Sequence, residues 1–187
     1  MKGFEIIQAL SPLLSGDEII VSSNGNISRQ VYHYCQKPQV YLRGSMGLPV
    51  PVGLGLAVAR PEKKVLTLLG DGNLLMGLGS LSTVSFVGPS NLRVLILDNQ
   101  SYATTGNQCT SSRVLDYASL LEGFGIPFVG PIQVDDTPEH VRQKLEAWLR
   151  ASRLCVLPAL VEAKPPAIPN IPLHPEEIAA LHVKNRD

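Results

Sequence analysis

The sequence has no set of cysteines that could pair. Cys35, Cys109 and Cys155 are odd in number, widely spaced and form no C-x-x-C motif. That excludes a disulfide framework and a structural zinc site, and reduced, mostly buried thiols are expected. There is no excess of either charge: 16 Lys and Arg offset 16 Asp and Glu. A neutral chain offers no electrostatic footprint for nucleic acid or an anionic membrane. No apolar run approaches the roughly 20 residues that span a bilayer. The opening MKGFEIIQALSPLLSGDE is interrupted by Glu5, Gln8 and Pro12 and lacks the form of a signal peptide, so a cytoplasmic location is expected. No P-loop G-x-x-x-x-G-K-[ST] occurs. The nearest dinucleotide-like cluster, GLGLAVA from Gly53, has Val58 where the third small residue belongs and lies within a helical stretch. A nucleotide site is therefore unsupported.

What the sequence does have is a globular balance, 44 % hydrophobic and 17 % charged over 187 residues, enough for one domain with a sizeable core. Apolar runs alternate with helical patterns. EIIVSS reads as a strand, Ile27 to Tyr34 as a short helix, QVYLR as a short strand, and PVGLGLAVAR as a helix beginning near Pro51. KVLTLL then reads as a strand, Leu75 to Phe86 as a helix, RVLILDN as a strand and Tyr117 to Phe124 as a helix. The clearest start signal is Thr137-Pro138-Glu139, with Thr137 as N-cap, Pro138 at the first helical position and an acid in the first turn. CVLPALVEA closes as a strand. Continuous apolar strands separated by helices predict an α/β fold, a doubly wound parallel sheet with helices on both faces. The binding domain is expected over residues 1–163. From Lys164 the composition changes, with five prolines between positions 165 and 175. Residues 164–187 are expected to form a Pro-rich arm, with EEIAALHVKN as a short helix. The arm reads equally as a surface tail or as a strap on a partner subunit.

Chemistry concentrates at GDGN, Gly70 to Asn73, where the KVLTLL strand ends and a helix opens. Ligands of open α/β sheets bind beyond the carboxyl ends of the strands. Glycines on both sides of Asp71 let backbone approach a ligand, and the first amides of a helix lack intrahelical partners. An aspartate beside a phosphate requires an intervening cation, and Mg2+ prefers oxygen ligands together with substrate phosphates. The next strand ends in Asp98-Asn99, so Asp71 and Asn99 lie 28 positions apart at neighbouring strand ends.

That pair resembles the thiamine diphosphate-binding motif, G-D-G followed about thirty residues on by an amide. The stretch from RGSMGLPVPVGLGLAVARPEKKVLTLLGDGN to LRVLILDNQSYATTGNQ resembles the thiamine diphosphate-binding subunit of the sulfopyruvate decarboxylase and phosphonopyruvate decarboxylase family. The likeness covers roughly residues 15 to 125. It implies Mg2+ held by the Asp71 and Asn99 side chains and the Ser101 carbonyl. The cofactor-binding set it implies also includes Gly70, Gly72, Asn73 and Tyr102, with Gly72 and Asn73 donating to the diphosphate. It places Asn24 and Asn26 against the diphosphate too, although an Asx-turn and helix cap accounts for them as well. It puts Gly44, Ser45 and Met46 at the pyrimidine, Met46 supporting the bent cofactor; a core methionine in a turn is the alternative. Asn73, Gln100-Ser101 and Cys109 depart from the usual pattern, where small residues, a glycine and a proline are frequent.

The same resemblance implies a 2-oxo acid decarboxylase in which the cofactor takes up the electrons released with CO2. Family enzymes take an activating glutamate from a separate pyrimidine-binding domain. Nothing in this chain resembles that domain, and Glu5 and Glu18 have no matching context. A pyrimidine-domain partner chain, a hetero-oligomer, is therefore expected to supply it, and the chain's own catalytic residue is unknown. Substrate candidates flanking the motif are Thr104, Thr105, Asn107 and Gln108. Arg29, Arg43 and Arg113 could pair with a sulfonate or phosphonate or simply be solvated, and His33 is expected to pack on its helix. His140, His174 and His182 receive no role. The alternatives are a carboligase of acetolactate synthase-like type and a non-catalytic assembly protein on the same fold.

Overall fold

The strands Val65–Gly70 (β3) and Leu92–Asp98 (β4) are buried almost along their whole length, which demands cover on both faces of the sheet. In the computed structural model, which describes residues 1–35, 39–163 and 167–183, they lie at the centre of five parallel strands. Ile19–Ser22 (β1), Gln39–Tyr41 (β2) and Cys155–Leu160 (β5) complete the order β2-β1-β3-β4-β5. The register runs Ile20 opposite Leu66, Leu66 opposite Arg93 and Arg93 opposite Cys155. The expected doubly wound α/β architecture is the one observed.

Strand side chains alternate between two cores. Leu66, Leu68, Leu95, Leu97 and Leu157 meet the helices Gly3–Leu10 (α1), Asn26–Cys35 (α2) and Pro138–Arg150 (α7) on one face. Val65, Leu69, Val94 and Ile96 meet Pro49–Ala59 (α3), Ser80–Val87 (α5) and Tyr117–Gly123 (α6) on the other. Helix α1 was not legible in the broken opening segment. Its polar residues Glu5 and Gln8 are exposed while Ile6, Ile7 and Leu10 are fully buried, and Pro12 falls in the 3-10 turn that follows. Glu5 Oε2 accepts from Lys2 N at 2.7 Å and fixes its start. The Thr137 cap is formed, its hydroxyl accepting from His140 N at 3.3 Å.

One expected element is corrected. The helix expected from Leu75 to Phe86 is two helices, Asp71–Met76 (α4) and α5, broken at Gly77–Gly79. A Cβ on Gly77 would stand 2.1 Å from the Gly47 carbonyl oxygen, so the chain bends where another backbone passes. Of the three thiols, Cys35 and Cys155 are buried but Cys109 is exposed. Residues 167–183 lie on the chain's own domain: Ile171 and Leu173 pack on the first core, and Pro175–Val183 (α8) buries Ile178 beside β2. Lys164 to Pro166 of the arm, and its end beyond Val183, lie outside the described residues. His33 does not only pack on its helix: Nε2 lies 3.4 Å from the Pro169 carbonyl oxygen, while its ring meets Tyr32 edge-on. No helix among the described residues is long and apolar enough to cross a membrane.

Helix α3 lies close against β3 because Gly53 has no side chain: a Cβ there would fall 2.0 Å from the buried Thr67 hydroxyl. Gly53→Ala should therefore destabilise the protein by about 1–3 kcal/mol through overpacking. Gly55→Ala on the same helix, with nothing within 4 Å, should gain about 0.5–1 kcal/mol from helix propensity. Urea unfolding of the two variants checks the contrast in sign.

Candidate active site

Connections leave β1 and β3 in opposite directions, since β1 continues to β2 on one side and β3 to β4 on the other. The crevice that this reversal opens at the carboxyl ends is where an α/β sheet accommodates a ligand. A cleft of about 210 Å³ lies there, and Asn24, Asn26, Met46, Gly70, Asp71, Gly72, Asn73, Asn99, Ser101, Tyr102, Thr104 and Thr105 line it. Gly44, Ser45, Asn107 and Gln108 do not reach its wall. Ser23, Gln30, Leu97, Val161 and Glu162 line it as well, and no local pattern singles them out. Gly3 also does so through the unforeseen α1.

Asp71 opens α4 and is only 2 % exposed. Thr110 Oγ1 donates to its Oδ2, and Ser112 Oγ lies 3.0 Å from the same oxygen. Ser112 Oγ is also 2.9 Å from Asp98 Oδ1, which accepts from Gln100 N at 2.9 Å, while Tyr117 donates to Asp98 Oδ2 at 2.9 Å. Two buried carboxylates are thus tied together by hydroxyls from residues 110–117. Burial pushes the Asp71 carboxyl above its ordinary range against the pull of the Thr110 hydroxyl, and the charge of Asp98 adds to the rise. Burial and Asp98 likewise push the Tyr117 hydroxyl up and keep it a donor. Thr110, Ser112 and Tyr117 were missed because nothing local marks a serine forty residues away as a carboxylate partner.

The GSMG segment forms a turn that raises Met46 between two left-handed residues, Ser45 at φ 58° and Gly47 at φ 87°. A serine in that region costs about 1–3 kcal/mol and persists only where its surroundings enforce it. Gly47 N donates to Asn73 Oδ1 at 3.1 Å. The asparagine that departs from the usual GDG pattern therefore clamps this turn to α4. Gly72 lies between two side chains: a Cβ there would be 2.5 Å from Tyr102 Cε1 and 3.1 Å from Met46 Cε. Asn24, which lines the cleft, has its Oδ1 buried without a hydrogen-bond partner among the described residues. Asn99 Oδ1 accepts from Ser101 N at 3.1 Å, an Asx-turn.

Residues 101–109 fold into a small loop closed by a Ser101–Cys109 bridge, with Tyr102 N donating to the Gln108 carbonyl at 2.9 Å. Gln108 Oε1 accepts from Gly106 N at 3.0 Å, and Asn107 takes a left-handed φ of 56°. These two substrate candidates shape the loop, and so does Thr105, whose hydroxyl donates to the Tyr102 carbonyl at 3.2 Å and lies 3.1 Å from Gln108 Oε1, although it lines the cleft together with Thr104. Gln100, where a glycine is frequent, is itself left-handed at φ 55°. Arg113 is exposed on the 3-10 turn Ser111–Val114, away from the cleft, and Arg29 and Arg43 line a separate cleft.

Among the described residues no three His, Cys, Asp or Glu side chains gather to hold a metal. A cation at Asp71 would have to complete its shell from amide, carbonyl and ligand oxygens, a mixture that suits Mg2+.

Comparison with known proteins agrees with this geometry. The family model described as thiamine pyrophosphate enzyme, C-terminal TPP binding domain, matches residues 23–159. The chain is 40 % identical over 126 residues to sulfopyruvate decarboxylase subunit beta of Methanothermobacter thermautotrophicus, covering 67 % of each. It is 35 % identical over 176 residues to the subunit of the same name from Methanococcus maripaludis, covering 94 % of this chain and 92 % of that one. With phosphonopyruvate decarboxylase of Streptomyces viridochromogenes it shares 40 % identity over 123 residues, yet spans only 31 % of that protein. A solved structure described as a thiamin diphosphate-dependent enzyme from Mycobacterium smegmatis superposes with a TM-score of 0.71 at 20 % identity. It shares the fold over 86 % of this chain, which corresponds to 32 % of that one.

Tyr117→Phe keeps the ring but strips buried Asp98 Oδ2 of its hydroxyl donor. The loss should cost about 1.5–3 kcal/mol, the scale of a hydrogen bond to a charged group. Urea unfolding would measure it, and a change under half a kilocalorie would show that the pair carries no weight.

Proposed function

The chain belongs to the family of the thiamine pyrophosphate enzyme C-terminal TPP binding domain, and from that premise we propose that it is the cofactor-binding subunit of a 2-oxo acid decarboxylase. Residues 1–163 form the binding domain and 164–187 its arm. The observation that carries this reading is the buried Asp71 carboxyl, set at the switch point of the sheet beside the Gly72 gap between Met46 and Tyr102. A buried carboxylate near a second one is poorly stabilised alone, and a divalent cation would offset both burial and repulsion.

The residues present fit thiamine diphosphate and Mg2+. Asp71 and Asn99 through their side chains and Ser101 through its carbonyl would hold the cation. Gly72 and Asn73 would donate backbone N–H groups to the diphosphate, with Gly70 leaving room for the approach. Asn24 and Asn26 face the same region. Gly44, Ser45 and Met46 would serve the pyrimidine end, their turn already held by the Asn73 clamp. When bound, thiamine diphosphate supplies the nucleophilic carbon and electron sink that decarboxylation of a 2-oxo acid requires. This chain's contribution is orientation and exclusion of water: Tyr102 and Met46 wall the cleft, Thr104 offers a hydroxyl to substrate, and Thr105, tied to the Tyr102 carbonyl and Gln108, holds the loop beside it.

A partner chain completes the site. Binding sites usually occupy about 300–1,000 Å³ and enclose most of their ligand, whereas this cleft offers about 210 Å³. Beside it Leu48 and Met76 are 48 % and 64 % exposed, apolar surface next to the Gly47 turn that a second chain would cover. The relatives carry the name subunit beta, consistent with an alpha partner supplying the activating acid.

Isolation of the tagged chain from its native cell, with mass spectrometry of the intact complex, should recover a pyrimidine-domain partner and bound thiamine diphosphate. A chain recovered alone and empty would overturn the proposal. The isolated chain should show negligible turnover, and the reconstituted pair should release CO2 and an aldehyde from a 2-oxo acid. A carboligated product instead would identify an acetolactate synthase-like reaction. In calorimetry with the pair, Asp71→Ala should abolish Mg2+-dependent binding of thiamine diphosphate, and unchanged affinity would remove the metal assignment.

A further inference from the structure

The groups that would hold a cation follow two different strands, and a residue off the cleft wall joins them. Thr110 is buried and does not line the cleft. Its backbone N–H donates to the Gln100 carbonyl at 3.1 Å, between Asn99 and Ser101 in the loop that leaves β4. Its hydroxyl donates to Oδ2 of Asp71, directly after β3. Ser112, likewise buried and off the cleft wall, lies 3.0 Å from the same oxygen and 2.9 Å from Asp98 Oδ1. Thr110 thus ties the loop that carries Asn99 and Ser101 to the helix start that carries Asp71.

Among the described residues, both side-chain hydrogen bonds to the Asp71 carboxyl end on Oδ2. A carboxylate with one oxygen pinned offers the other as a single-oxygen ligand. That distinction matters between the two common hard cations. Mg2+ demands near-octahedral geometry at short distances, whereas Ca2+ accepts more oxygens at longer distances and takes carboxylates through one oxygen or both. Pinning Oδ2 suits the smaller ion and denies the larger its two-oxygen mode. Thr110 is the stronger pin, because the single Ser112 proton is shared between Asp71 and Asp98.

We infer that Thr110, assisted by Ser112, is a positioning residue that fixes the Asp71 carboxylate for single-oxygen coordination and so makes the site prefer Mg2+ over Ca2+. The inference rests on the cation assignment of the decarboxylase reading and adds residues that touch neither the ion nor the cofactor. Groups that hold a metal ligand from behind are commonly worth about 10- to 100-fold in metal affinity, because they orient the ligand before the ion arrives. Here the effect is unequal. Loss of the pin costs Mg2+, which needs the fixed geometry, more than Ca2+, which gains the second oxygen.

Calorimetric titration of the reconstituted pair in excess thiamine diphosphate, with Mg2+ and separately with Ca2+, tests this. Thr110→Val should weaken Mg2+ binding by about 10- to 100-fold and lower the ratio of Mg2+ to Ca2+ affinity by about 10-fold. Ser112→Ala should act in the same direction but less, and it carries the comparison if Thr110→Val does not fold. Thr110→Ser keeps the hydroxyl and should restore most of the ratio. Tyr117→Phe removes a donor from Asp98 and none from Asp71, so it should leave the ratio near its original value. A smaller folded fraction affects both titrations alike and does not move the ratio. A ratio unchanged by loss of the hydroxyls, or lowered as far by Thr110→Ser or Tyr117→Phe as by Thr110→Val, would overturn the inference and leave Asp71 as a ligand. A pair that takes up neither cation with thiamine diphosphate would overturn the decarboxylase reading, and the inference with it.

Discussion

Two carboxylates buried at the ends of adjacent parallel strands set the problem that the surrounding structure solves. Asp71 and Asp98 are 2 % and 1 % exposed, and an unpaired charge in such a place is costly. The chain answers with hydroxyls: after leaving β4 it turns through residues 99–109 and returns Thr110, Ser112 and Tyr117 to the two acids. Ser112 has one proton and two carboxylate oxygens within reach, so the network is short of donors. The cation proposed at Asp71 would relieve that shortage.

The same constraint explains where backbone strain collects. Ser45, Gln100 and Asn107 are the non-glycine residues with left-handed φ among those described, and all three lie in the turns around the cleft. Ser45 raises Met46, Gln100 starts the return toward Thr110 with its N–H on Asp98, and Asn107 closes the loop below Thr104. Asn73 secures the first of these turns through Gly47 N. Asn73 of α4 holds the first turn, Asp98 of β4 the second and the Tyr102 carbonyl the third, and strained conformations survive where their surroundings fix them in this way.

The clefts flanking the Asn24–Asn26 turn differ in the charge of their lining. The first has a buried acid, amides and hydroxyls, donors and acceptors suited to a phosphate–cation pair. The second is lined by Arg29 and Arg43 together with neutral polar and apolar residues. Exposed Leu48 and Met76 stand beside the Gly47 turn. The strap of residues 170–174 forms one wall of the second cleft, and Ile171 and Leu173 within it pack on the domain's own core. Pro-rich composition alone does not distinguish a strap laid on its own domain from one laid on another chain.

The sheet was legible in the sequence because buried parallel strands must be continuously apolar, as KVLTLL and RVLILDN are, and because Gly70-Asp71-Gly72 follows directly on one of them. Residues whose role depends on neighbours in the chain, such as Thr137 at its cap or Asp71 at its strand end, could be read locally. Helix α1 could not, since Glu5, Gln8 and Pro12 break a linear apolar pattern while only the folded helix shows that they share its outer side. Nor could the break at Gly77, which exists because the Gly47 carbonyl passes 2.1 Å from where a Cβ would be. Thr110, Ser112 and Tyr117 acquire meaning only when the loop brings them back to Asp71 and Asp98, and Arg29 of α2 and Arg43 after β2 come to one cleft only in the fold. The sequence by itself determined the strand–helix alternation and the ligand-bearing strand ends, because local periodicity and backbone chemistry act over a few residues. The tertiary structure alone decided which hydroxyls satisfy the buried acids and which cations share a cleft, because those pairings join residues far apart in the chain and are selected by the cost of leaving buried polar groups unpaired.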